Sequence, residues 1–102
     1  MDMNARGFRK TDLDRSQAIA RVRDYARQRF HLSAEDTVTV AELACGLPGC
    51  PPLETVITFW IGEQRHHLKL FKPVTGVILD DLPPAWYRSA LAVDADFNGD
   101  CC

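Results

Sequence analysis

Glu54-Thr55-Val56-Ile57-Thr58-Phe59-Trp60-Ile61-Gly62-Glu63-Gln64-Arg65-His66-His67-Leu68-Lys69-Leu70-Phe71 reads as two strands and the turn between them. Residues 54–61 are rich in β-branched and aromatic side chains, which fit a pleated surface. They are apolar at nearly every position toward their end, a pattern expected of a strand covered on both faces, with its centre in the core. Gly62-Glu63-Gln64 is a polar break of hairpin length, and residues 65–71 alternate well enough to return antiparallel. His66 and His67, as strand neighbours, point to opposite faces, so at most one of them joins any one site. A surface or hairpin-edge position is expected for each.

Upstream, Thr37-Val38-Thr39-Val40-Ala41-Glu42-Leu43-Ala44 is β-branched and alternating, and predicts another strand. Before it, Ile19, Val22, Ala26 and Phe30 recur at helical spacing with Tyr25 beside them, after Asp12 or Asp14 as N-cap. This predicts an amphipathic helix, with His31 complementing the dipole at its C-terminus and residues 1–11 as a flexible lead. Downstream, Pro73 ends the hairpin and residues 74–79 are a candidate fourth extended segment. Asp80-Asp81-Leu82-Pro83-Pro84 reads as a helix start, with Trp86, Tyr87, Ala90 and Leu91 as its apolar stripe. Lys72, Asp80 and Asp81 are expected in turns and caps, and Trp60 and Trp86 in the core.

The expected fold class is α+β: a small antiparallel sheet of three strands, or four, in the order α-β-β-β-α, with two helices on one face. A chain of 102 residues has room for one domain, here residues 12–93. Residues 94–102 (Asp-Ala-Asp-Phe-Asn-Gly-Asp-Cys-Cys) form an acidic tail with little to bury. The 46% apolar and 25% charged fractions are those of a folded soluble protein. No apolar run is long enough to span a bilayer, and the first ten residues lack a signal-peptide core, so a cytoplasmic address and no membrane partner are expected. Residues 1–30 hold eight Lys/Arg against four Asp/Glu, and residues 31–102 hold four against ten. Without aromatic interleaving, the basic third reads as a solvated helix face rather than a nucleic-acid interface.

Chemistry concentrates where the first two strands join, at Cys45-Gly46-Leu47-Pro48-Gly49-Cys50-Pro51-Pro52. In a reducing compartment these cysteines, with Cys101 and Cys102, are thiols, and metal or redox chemistry outranks a disulfide. Thiolates bind zinc, copper(I) and iron in clusters. Gly46 and Gly49 permit tight turning while Pro48, Pro51 and Pro52 stiffen the backbone, which preorganises ligands. Cys101 and Cys102 would bring the sulfurs to four if the tail folds back. Redox chemistry requires a thiol of lowered pKa, and no helix start lies beside Cys50 to supply one. Glu42 and Glu54 flank the connection as candidate ligands, acid/base groups or edge charges. No P-loop, dinucleotide-binding glycine pattern, HExxH or nucleophile elbow is present, so an enzyme is not indicated.

Cys45, Pro48-Gly49-Cys50-Pro51-Pro52 and Glu54-Thr55, followed by Phe71-Lys72-Pro73, resemble a group of small proteobacterial proteins with a C-x4-C-P-P-x-E-T loop. That resemblance covers about half the chain and implies no activity. More distantly, a helix and strands leading to Pro-Gly-Cys-Pro resemble the iron–sulfur assembly domain of SufT-like and PaaD-like proteins. On that likeness Cys50 is the matching position, and the implied role is to insert or carry a cluster. The assembly domain follows its Cys-Pro with a helix, whereas residues 54–61 here are strand-like. The leading expectation is an accessory protein that binds a metal ion (zinc) or an iron–sulfur cluster through Cys45 and Cys50, with Cys101 and Cys102, or that presents the loop to an as yet unidentified protein partner. The interaction loop would comprise Gly46, Pro48, Gly49, Pro51, Pro52 and Glu54. The alternatives are a pure protein-interaction module with incidental cysteines, and a thiol redox or sulfur-transfer protein.

Overall fold

The computed structural model describes residues 10–44 and 53–93. Helix α1 (Lys10–Phe30) leads into strands β1 (Val38–Ala44), β2 (Leu53–Ile61) and β3 (Gln64–Leu70). Three 3-10 turns (Val74–Gly76, Leu79–Asp81 and Ala85–Leu91) follow, and then a short strand, β4 (Ala92–Val93). The strands form one antiparallel sheet in the order β1-β2-β3-β4.

α1 starts at Lys10, two positions before the first expected cap. Its buried stripe is Ala18, Val22, Ala26 and Phe30, all at 0% exposure, with Ile19 and Tyr25 alongside. A four-residue step keeps them on one side of the helix, and they cover Val38, Val40, Ile57 and Phe59 of the sheet. The helix stops at His31, whose φ of 58° is left-handed, and Leu32 N–H donates to the Arg27 carbonyl at 2.9 Å. That is a Schellman closure, so His31 ends the helix through its backbone. The Arg27 guanidinium then ties down the next turn through the carbonyls of Ser33 (2.7 Å) and Asp36 (2.9 Å).

The hairpin forms as expected, with Gly62 at φ 63° in its turn and register pairs from Thr55↔Leu70 to Ile61↔Gln64. One face of β2 (Thr55, Ile57, Phe59) is buried, while Val56, Thr58 and Trp60 on the other are half-buried. The expected cover on both faces is thus complete on the helix side and partial on the other, and Trp60, expected in the core, is only half-buried there. His66 is also corrected, from surface to core: it pairs with Phe59 and completes a stack in which Phe30–Phe59 and Phe59–His66 centroids lie 5.1 and 4.7 Å apart.

The larger correction concerns the C-terminal third, where the expected second α-helix is replaced by the 3-10 turns and β4. Pro83 and Pro84 have no N–H to donate, and the seven residues Ala85–Leu91 are too few to repay α-helix nucleation unaided. Trp86, expected in the core, is 78% exposed and meets Tyr87 edge-on at 5.7 Å. Polar anchors hold this segment: Arg88 donates to the Phe30 carbonyl at 2.6 Å, and Arg29 donates to those of Leu79 (3.3 Å) and Leu82 (3.4 Å).

Asp81, expected to cap a helix, instead closes the 79–81 turn, accepting from Lys72 Nζ at 2.8 Å and from the Ile78 N–H at 2.9 Å. The Lys72 hydrogen bond, and then that of Ile78, hold its carboxyl pKa below the ordinary value. Its contribution to stability is therefore in force above the unfolded aspartate value of about 3.9, and is lost as pH falls through the lower folded value. Asp81→Asn should flatten this part of the acid-side profile of urea-unfolding free energy. An unchanged slope would show that the cap carries no linkage.

Candidate functional site

β1 and β2 stay in register to the end, through Glu42↔Thr55, Leu43↔Glu54 and Ala44↔Leu53. Residues 45–52 thus join two strand ends that lie side by side, and Leu53 continues directly as strand. Cys45, Gly46, Pro48, Gly49, Cys50, Pro51 and Pro52 themselves lie outside the described residues, as do Cys101 and Cys102. What the structure places is the root of the connection, and two carboxylates stand there on opposite faces of the sheet.

Glu42, on the face that α1 covers, is engaged. Its Oε2 accepts from the Val74 N–H at 2.9 Å, and its Oε1 lies 3.5 Å from Arg15 Nε. These contacts tie β1 to the helix and to the turn after β3, a structural duty that leaves little room for acid/base work. Beside it opens a cleft of about 340 Å³ lined by Asp14, Arg15, Glu42, Leu53, Pro73 and Thr75.

Glu54 lies on the other face and is fully buried. Lys69 Nζ is 3.9 Å from its Oε2, and neither carboxylate oxygen accepts a hydrogen bond. A desolvated carboxylate is costly unless paired and hydrogen-bonded, so the group departs from ordinary core construction. Lys69 was not among the expected site residues. Its position follows once the hairpin register is drawn, because Lys69 pairs with Val56 and side chains two apart on a strand share a face. His67 faces the same side, and burial holds its pKa below the ordinary value; the charges of Lys69 and Arg65 add to this shift and Glu54 opposes it.

Among the described residues, no three His, Cys, Asp or Glu side chains are grouped as a metal would require. No described helix is long and apolar enough to cross a membrane. No protein-family model, curated protein or solved structure matches the chain.

Proposed function

We propose that this is a small accessory protein whose Cys45 and Cys50 thiolates hold a zinc ion or an iron–sulfur cluster at one end of the sheet and hand it on to a protein partner. The observation that supports this is the closed Ala44↔Leu53 register: a connection pinned at adjacent strand ends confines both cysteines to one short span. Among the described residues the connection is followed by strand from Leu53 onward, not by a helix whose N-terminus could depress a thiol pKa. This favours ligand over nucleophile. The unsatisfied Glu54 carboxylate beside the connection suits a cation-binding end of the molecule, since oxygen donors join thiolates in zinc sites. The chain would supply the two thiolate ligands, and the bound ion or cluster would be the cargo passed on.

The test is anaerobic purification with elemental analysis and ultraviolet-visible spectra. The wild-type chain should carry a fixed metal stoichiometry, and the Cys45→Ser, Cys50→Ser double variant should lose it. Unchanged stoichiometry would overturn the reading. Serines at Cys101 and Cys102 would report whether the tail completes the ligand set.

A second reading, a pure interaction module, is favoured by the exposure of Leu43, Phe71, Trp86 and Tyr87. It predicts partner binding that survives removal of metal.

A further inference from the structure

We infer that two copies of this chain join along β1, in antiparallel register, to make one continuous sheet. The argument starts from hydrogen-bond parity. Trp60 N–H donates to the Thr37 carbonyl at 3.0 Å and Val38 pairs with Phe59, so Thr37, Thr39, Ala41 and Leu43 exchange their ladder bonds with β2. The N–H and C=O groups of Val38, Val40 and Glu42 therefore point away from the sheet. None of them is hydrogen-bonded to the described residues. Unpaired strand edges are templates for pairing and are ordinarily blunted with lysine, proline, bulges or covering segments. β1 has no lysine, arginine or proline, and its pairing with β2 runs from Val38 to Ala44 without a skipped residue.

Charge favours a second copy as the occupant. Glu42 is the only ionisable residue in β1, and Arg15 and the Val74 N–H hold its carboxylate on the helix side. With Val40 set opposite its own copy, Glu42 faces Val38, and two β1 strands meet without like charges directly opposed across the seam. On the outer face the side chains brought together are Thr39, Ala41 and Leu43, all exposed in the single chain. The far edge is built the opposite way. β3 carries Arg65, His67 and Lys69, is capped by β4 at Arg65 and His66, and the Gln64 amide donates to the Val93 carbonyl at 2.9 Å. With one edge unpaired among the described residues and one guarded, pairing closes at two copies, as an isologous two-fold interface does.

Sedimentation equilibrium and backbone amide exchange on the full chain test this, with Ala41→Lys as the variant. Ala41 is exposed and its N–H stays on the β2 side, so a lysine there sets like charges across the seam and leaves the core and ladder alone. The wild-type chain should sediment at twice its 11.5 kDa mass, and the variant at the single mass with unchanged circular dichroism. The Val40 and Glu42 amides should be protected in the wild type and fast-exchanging in the variant, while the amides at positions 39 and 41 stay protected in both. A wild-type chain that remains monomeric at millimolar concentration overturns the inference. So does a dimer that Ala41→Lys leaves intact.

Discussion

Phe59→Ala is expected to lower the unfolding free energy by about 3–5 kcal/mol, the range for emptying a buried aromatic site. Phe59 is fully buried and is the middle ring of the stack that joins α1 to the hairpin, with Phe30 on one side and His66 on the other. Each ring contact is worth about 0.5–1.5 kcal/mol beyond area burial, so truncation breaks two of them and leaves a cavity. Domains of this size are stable by about 5–15 kcal/mol in total, which makes the loss a large share. Urea titration should show a lower midpoint, and Val56→Ala on the half-buried face should cost clearly less. A Phe59→Ala loss within about 1 kcal/mol, the worth of one or so buried methylenes, would mean that the stack does not hold the layers together.

How far the sequence revealed this fold depended on how strongly each segment's periodicity constrained it. The hairpin was legible because alternation, aromatic and β-branched residues and a glycine at the turn all agreed. α1 was legible because Val22, Ala26 and Phe30 repeat at one helical face. The C-terminal third misled because Trp86, Tyr87, Ala90 and Leu91 look helical at 3.6 residues per turn. The 3-10 geometry has about three, and only Leu91 of the four is buried. β4 has two residues, too few for any pattern. His66 was hidden differently. Alternation already placed His66 with Leu68 and Leu70, but residue type argued for the surface. What buries it is its register against Phe59, a tertiary fact. Of the candidate site, Glu54 and its place beside the connection were legible. Lys69, diagonal to it across the hairpin, was not, because that placement depends on the strand register.

Lys69→Met is expected to cost about 3–5 kcal/mol, the range for leaving one member of a buried ion pair behind. The Glu54 side chain is 1% exposed and that of Lys69 16%, so removing the ammonium strands a carboxylate that accepts no hydrogen bond where water cannot reach it. Adding Glu54→Met should reverse the loss. Pairs of this kind replaced by apolar side chains of similar volume are often neutral, or more stable by about 1–4 kcal/mol, so the double variant should match or exceed the wild type in urea. A Lys69→Met cost within about 1 kcal/mol would show that the carboxylate has other compensation. The cycle also bears on function. If the double variant is as stable as wild type, the pair is not needed for folding, and the proposed binding at that end of the molecule is the role left to test. Metal content of the stable double variant then decides between them: a fall relative to wild type places Glu54 in the proposed binding end, and an unchanged value removes Glu54 from the proposed site.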